Sequence, residues 1–254
     1  MNLDLKGKRA LVTGGATGLG WACVQNLAAE GADVALSFRS SRAADLPAQC
    51  EALAAEHGVL VVPVHADLGT VEEAEELFDR AHDALGGLDI LVNNAGIWLT
   101  GSVRDITPED WDRTMEVNLR APFLLSQRFV NAAIEEGHGG HVVNVTSQAA
   151  FHGSTTGHSH YAASKAGLVT FSISMAREVA QYGINVNNVA VGMMRSKMTE
   201  KALAERGDYY KSRIPMGRVA EPDELAKIVT FLASERAAYM TGATVDITGG
   251  MLMR

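Results

Sequence analysis

The sequence is short of the features that mark several protein classes. Its 254 residues include two cysteines, Cys23 and Cys50, too few for a disulfide framework and lacking the spacing of a metal site, so both are expected to be reduced thiols. No uninterrupted apolar run is long enough to span a bilayer. The first residues, Met1-Asn2-Leu3-Asp4-Leu5-Lys6-Gly7-Lys8-Arg9, lack the basic start and long apolar stretch of a secretory signal, which points to the cytoplasm. Cations are outnumbered, with 22 Lys and Arg against 30 Asp and Glu, for a formal net charge of −8 and no long basic stretch. Nucleic acid and anionic membrane are therefore not expected as main partners, since both reward clustered cations. There is no low-complexity linker, internal repeat or shift of composition to mark a boundary, so residues 1–254 read as one domain. With 47% hydrophobic and 20% charged residues, the chain is expected to fold around its own core.

Short β-branched runs alternate with longer amphipathic stretches. The runs are Ala10-Leu11-Val12, Val34-Ala35-Leu36, Leu60-Val61-Val62, Ile90-Leu91-Val92, Val142-Val143-Asn144-Val145, Ile184-Asn185-Val186 and Thr244-Val245-Asp246-Ile247. Helical patterns cover 19–30, 71–85, 107–136 and 161–182, each followed by a glycine stop, and 222–233. Strands apolar on both faces and separated by helices are best satisfied by a parallel sheet covered on both sides. The predicted fold is thus α/β: a Rossmann-type, doubly wound, seven-stranded parallel sheet. The least regular stretches, 151–160 and 192–216, are expected as loops or short helices over the edge where ligands bind, the second forming a substrate loop.

After the first strand comes Thr13-Gly14-Gly15-Ala16-Thr17-Gly18-Leu19-Gly20, and then a helix. Such a turn admits a pyrophosphate against free N–H groups at the helix start; a tight turn needing positive φ would use glycines in the same way. The second strand ends in Ser37-Phe38-Arg39-Ser40, without the carboxylate that receives the ribose hydroxyls of NAD. Arg39 with the hydroxyls of Ser37 and Ser40 suits the 2′-phosphate of NADP, or is a solvated arginine at a strand end. NADP(H) is favoured and NAD(H) is not excluded.

Four further stretches join this turn: Asn93-Asn94-Ala95-Gly96, Asn118 in the long helix, Ser147 at the end of the fifth strand, and Tyr161-Ala162-Ala163-Ser164-Lys165. Tyr161 and Lys165, four apart on a helix, leave the same face. Bringing a tyrosine from a pKa near 10 to near 7 asks for about 4 kcal/mol in favour of phenolate, which a neighbouring ammonium in a desolvated cleft can help supply. Tyr161 is thus the candidate general acid/base. Singly, each residue has an ordinary alternative, a helix cap for Ser147 or a helix brace for Asn118. Taken in this order the chain resembles the short-chain dehydrogenase/reductase family, from the first strand to Gly249-Gly250.

That resemblance implies a hydride transfer in which Lys165 also holds the nicotinamide ribose, Ser147 orients the substrate oxygen and Asn118 holds a relay water. It places Gly14, Thr17, Gly18, Leu19 and Gly20 on the cofactor phosphates. Asp67 and Leu68 would lie at the adenine, Asn94, Ala95 and Gly96 along the adenosine side, and Gly192 and Ser196 near the carboxamide. It implies a homotetramer and needs no metal. Two departures stand out: Tyr161 follows Ser147 by 14 residues, one more than is commonest, and Ala190-Val191-Gly192 replaces the usual Pro-Gly after the sixth strand. Trp98, Phe151, His152 and Met193, with Ser147 and Tyr161, are the candidate substrate contacts; Met194 and Met198 would add to the apolar part. The histidines 152, 158 and 160 read as polar lining or surface rather than metal ligands.

The expected reaction interconverts a secondary alcohol and a ketone on a polyol, sugar or simple ketone. One alternative is a 3-oxoacyl-acyl-carrier-protein reductase, against which Glu135-Glu136 at a helix end has the wrong charge for an acidic carrier. Others are a non-catalytic NADP-sensing protein, disfavoured by the intact Ser147, Tyr161 and Lys165, and an enoyl reductase, whose tyrosine and lysine are spaced more widely.

Overall fold

Parallel pairing needs strands that can be buried on both faces, and the seven β-branched runs meet that need. In the computed structural model, which describes residues 3–39, 45–154 and 157–253, the strands are β1 (Arg9–Val12), β2 (Asp33–Phe38), β3 (Val61–His65), β4 (Ile90–Asn93), β5 (Gly140–Ser147), β6 (Ile184–Val191) and β7 (Thr244–Ile247). All pair in parallel in the order β3-β2-β1-β4-β5-β6-β7. Successive strand residues point to opposite faces, so Ala10 and Val12 enter one core with Leu27, Val229 and Leu232, while Leu11 enters the other with Leu77, Leu125 and Phe129.

The helices are α1 (Gly18–Ala29), α2 (Leu46–His57), α3 (Val71–Leu85), α4 (Pro108–Met115), α5 (Ala121–Glu136), α6 (Ala149–His152), α7 (Ser159–Val179), α8 (Glu200–Ser212) and α9 (Pro222–Leu232). Helix α2 departs from the sequence expectation because it carries little apolar pattern, burying Leu46, Cys50 and Leu53; α8, within the stretch expected as loops or short helices, buries only Tyr210. The helix expected over 107–136 is instead α4, a π-helical turn at Glu116–Arg120, and α5. Pro122 lacks the N–H that would continue a regular ladder across the junction, and the backbone widens just before it. Both cysteines are buried free thiols, pushed up to about 12 and about 11 by burial. Among the described residues, no helix is long and apolar enough to cross a membrane.

Parallel strands place all their C-terminal ends on one edge. Val12 pairs with Val92, Asn93 with Asn144, and Ser147 with Val191, so the turns after β1, β4, β5 and β6 converge there. At the opposite edge, Asp89 ties the starts of β1 and β4 by accepting from the Arg9 backbone N–H at 2.9 Å and from Nε at 2.8 Å. Burial alone would raise the Asp89 carboxyl, but these bonds and the Arg9 charge bring it below its ordinary value. Asp89→Asn is expected to cost about 1–3 kcal/mol of stability, the range for bonds to a charged group. A depressed carboxylate stabilises fully above its unfolded pKa of about 4 and loses that contribution as pH falls. Urea unfolding curves of variant and parent should therefore converge in acid; a gap that persists unchanged to low pH refutes the assignment.

Candidate active site

The turn after β1 is shaped for close approach. Gly14 and Gly18 have φ of +61° and +55°, and a Cβ on Gly20 would lie 2.2 Å from the Gly14 carbonyl oxygen. Thr17 caps α1 without a side-chain hydrogen bond, which leaves the helix's first amides to an anion. Ser37, expected on a phosphate, braces this turn: its Oγ accepts from the Gly14 N–H at 3.0 Å, and its carbonyl from the Gly15 N–H at 2.9 Å. Asn94 does likewise, its Nδ2 donating to the carbonyls of Thr13 at 2.8 Å and Gly14 at 3.2 Å.

A cleft of about 280 Å³ runs along the strand ends. Ser37, Arg39, Asp67 and Leu68 line it at β2 and β3; Gly14, Thr17, Gly18, Leu19, Gly20, Asn94, Ala95 and Gly96 line its middle; Tyr161, Lys165 and Ser196 close it. The Asp67 carboxylate is paired with Arg113 at 2.7 Å and accepts from the Gly69 N–H, which, with the charges of Arg113 and Arg39, more than offsets burial and lowers its pKa. Arg39 is exposed, and among the described residues no carboxylate lies within ion-pair distance of its guanidinium. Ser40 lies outside the described residues. Gly192 was expected on the cofactor but lines a second cleft, its N–H held by the Ile247 carbonyl at 3.3 Å.

Tyr161 and Lys165 sit in the first two turns of α7, against the end of β5. The half-buried Tyr161 shares the second cleft with Ser147, a buried residue whose Oγ accepts from the Ala149 N–H at 3.2 Å. Lys165 is buried, its Nζ donating to the Val145 carbonyl at 2.9 Å and lying 6.0 Å from the Tyr161 ring centre. Burial pushes Lys165 down to about 8. It also pushes Tyr161 up, against the opposing influence of the Ser147 hydroxyl, the opposite direction to the one expected from a neighbouring ammonium. Desolvation disfavours both charges.

Asn118 is fully buried in the π-helical turn, and its side chain clamps the strand after β4. Its Oδ1 accepts from the Ile97 N–H at 2.8 Å, and its Nδ2 donates to the Ile97 carbonyl at 3.0 Å and to Ser164 Oγ at 3.1 Å. Both amide N–H bonds are thereby committed, so they are not what holds a relay water.

A second cleft of about 140 Å³ joins the first, with Tyr161, Val191, Met194, Ser196 and Met198 lining both. Trp98, Ser147, His152 and Met193 line it as expected. Phe151 does not: on the short α6, Ala149, His152 and Gly153 share the facing side, and Phe151 falls off it. His158, read from the sequence as polar lining or surface, belongs to the lining; Gln148, Met251, Tyr210 and Arg213 also do and were not anticipated, since nothing in their local sequence points inward. His158 stacks on Trp98, with centroids 4.6 Å apart, and is lowered by burial. Among the described residues, no group of three or more His, Cys, Asp or Glu is placed to hold a metal ion.

Known proteins are similar to this chain over nearly its whole length. A family model described as Enoyl-(Acyl carrier protein) reductase matches residues 14–252. The 3-oxoacyl-acyl-carrier-protein reductase of Aquifex aeolicus is 36% identical, covering 99% of this chain and 100% of its own. Nodulation protein G of Rhizobium sp. (strain N33) is 40% identical over 98% of this chain and 99% of its own. The crystal structure of a short chain dehydrogenase from Burkholderia cenocepacia in complex with NADP aligns with a TM-score of 0.89 at 36% identity, covering 97% of this chain and 98% of that one. The chain belongs to the short-chain dehydrogenase/reductase family. It is an oxidoreductase acting on CH–OH groups.

In this dehydrogenase/reductase the observed cleft fits a dinucleotide. The turn amides and Arg39 offer donors to phosphates, and the buried Lys165 ammonium, with Val145 as its one protein acceptor shown, suits ribose hydroxyls. A lysine whose folded pKa is depressed destabilises the fold at neutral pH, and the burden lifts as pH rises from about 8 towards its unfolded value. Lys165→Met is therefore expected to stabilise the cofactor-free protein by up to about 3 kcal/mol at pH 7 while removing turnover. Thermal unfolding at pH 7 checks this, and a lowered Tm would refute it.

Proposed function

We propose that this protein interconverts a secondary alcohol and a ketone on a small molecule, with NADP(H) preferred over NAD(H) and Tyr161 as general acid/base. The observation that carries the reading is Tyr161 lining both clefts where they meet, with Ser147 in the second and Lys165 one helical turn away in the first. The nicotinamide supplies the carbon that gives or takes the hydride when it is bound. Ser147 orients the substrate oxygen, and the Tyr161 hydroxyl gives that oxygen its proton in reduction and takes it back in oxidation. Lys165 anchors the ribose, and its charge favours the phenolate once proton transfer has begun. Asn118 positions this machinery through Ile97 and Ser164.

Tyr161→Phe is expected to leave cofactor binding nearly intact and to remove turnover, read by reduced-nicotinamide absorbance over a panel of alcohols and ketones; unchanged turnover sinks the assignment. Arg39→Ala should weaken NADP by about 10-fold or more and leave NAD nearly unaffected, as loss of one charge-assisted phosphate contact demands. Equal effects on both cofactors would remove Arg39 from that role.

A second reading, 3-oxoacyl thioester reduction, is supported by the Aquifex relative. The charge argument against it loses force here. Glu135 and Glu136 close α5 at the edge where β5 begins, the length of that strand from Ser147, and Glu136 is met by His82 at 2.6 Å and His138 at 3.1 Å. Turnover of an acyl-carrier thioester with none of free ketones would select it.

The proposal includes a homotetramer. Phe123, 40% exposed and stacked edge-on with Phe171, joins Met115, Leu119 and Gly167 in a shallow apolar hollow suited to burial between subunits. Light scattering tests it, and a monomer refutes it.

A further inference from the structure

The second cleft has a charge character opposite to that of the chain as a whole. Acidic residues outnumber basic ones by eight, yet among the described residues none lines this cleft. Its permanently charged side chain is Arg213, which follows the last turn of α8. That side chain is pre-oriented: Nη1 donates to the Tyr209 hydroxyl, and the guanidinium carbon lies 5.4 Å from the centre of the same ring. The neighbouring Tyr210 is buried and anchors this end of α8 to the body.

Most of the remaining lining is apolar. Trp98, Met193 and Met251 offer surface to a short carbon chain. Gln148, beside Ser147, is one of its polar members: its Nε2 reaches the Met251 sulfur at 3.6 Å, and its Oε1 is buried without a hydrogen-bond partner. At about 140 Å³ the cleft is well below the ~300 Å³ at which pockets for drug-sized ligands begin.

We infer that the substrate is a small oxo acid or its hydroxy acid, with the reacting carbonyl at Ser147 and Tyr161 and the carboxylate on Arg213. The inference rests on the alcohol–ketone reading above and names its substrate class. A guanidinium takes a carboxylate through two parallel N–H donors. Among the described residues one permanent cation suits a single negative charge; both histidines of the wall turn Nδ1 to a backbone carbonyl, His158 to Leu99 at 3.3 Å and His152 to Gly153 at 2.8 Å, and His158 is also lowered by burial. A phosphate dianion would call for a second cation. In reduction the carbonyl carbon gains the hydride and the oxygen gains the Tyr161 proton; the carboxylate is unchanged.

The test pairs acids with uncharged isosteres, acetoacetate against methyl acetoacetate and levulinate against methyl levulinate, with dihydroxyacetone phosphate as the phosphate arm. With NADPH, the acid of at least one pair should have a kcat/KM about 10-fold or more above its ester, as expected of one charge-assisted contact at an exposed arginine. Arg213→Ala should abolish that preference and leave the ester nearly unaffected, and Arg213→Lys should restore part of it. Esters equal to acids, or an equal loss on both in Arg213→Ala, would overturn the inference. Preference for dihydroxyacetone phosphate would overturn the carboxylate assignment. Equilibrium titration of the same pairs into the NADP complex of Tyr161→Phe separates the two layers. An acid preference that is lost in the double variant Tyr161→Phe/Arg213→Ala upholds the anion site even if no pair turns over, whereas turnover failure alone counts against the redox reading. Equal affinities for acid and ester overturn the anion site.

Discussion

The stitch between β1 and β4 is the constraint on which the site depends. Chain order runs outward from β1 to β3 and then returns to β4 on the other side of β1, so the turns after these neighbours diverge and leave a crevice. Thr13 and Asn94 hold the crevice at a set width. Thr13 Oγ1 accepts from the backbone N–H groups of Asn94 at 3.0 Å and Ala95 at 2.9 Å, while Asn94 returns its amide to the Thr13 and Gly14 carbonyls. The glycine turn, braced from the far side by Ser37, thus presents its backbone to a ligand without being satisfied by its own side chains. Satisfying buried backbone groups elsewhere, through the ladders and caps, is what allows this one turn to remain open.

Desolvation governs the catalytic corner. Burial disfavours the charged form of both Lys165 and Tyr161, which moves the lysine down and the tyrosine up. Such a corner is unfavourable for the fold and useful for chemistry, since a phenol poised to donate and an ammonium seeking acceptors both gain from a ligand. The same logic resolves the acidic surplus of the chain. Asp67, a carboxylate in the cofactor cleft, is masked by Arg113, so Arg39, Lys165 and the turn amides set the local sign despite a net charge of −8. The second cleft repeats the pattern with Arg213.

Legibility in the sequence followed local chemistry. The seven strands and the helices α1, α3, α7 and α9 announced themselves through periodicity and glycine stops, because burial on a defined face leaves a defined period. Helix α2 did not, and α8 only as a stretch of loops or short helices, since three buried residues in one and a single one in the other leave almost no stripe. The π-helical turn that carries Asn118 was likewise invisible, as its cause lies in how the ladder resolves around Pro122 rather than in residue pattern. The lining of the first cleft was legible because a glycine turn and a Tyr-x-x-x-Lys pair are contiguous motifs. Gln148, Arg213 and Met251 reach the second cleft from separate parts of the chain and were not legible.

By itself the sequence determined the fold class, the glycine turn after β1 and the same-face pairing of Tyr161 and Lys165, for each is set by spacing within one or two elements. Tertiary structure decided what those residues experience. It turned Ser37 and Asn94 into braces, set Phe151 aside, paired Asp67 with Arg113, moved Tyr161 away from phenolate and brought Arg213 to the substrate cleft. Spacing along a chain specifies direction over a few residues, whereas desolvation and charge pairing depend on neighbours that only packing brings together.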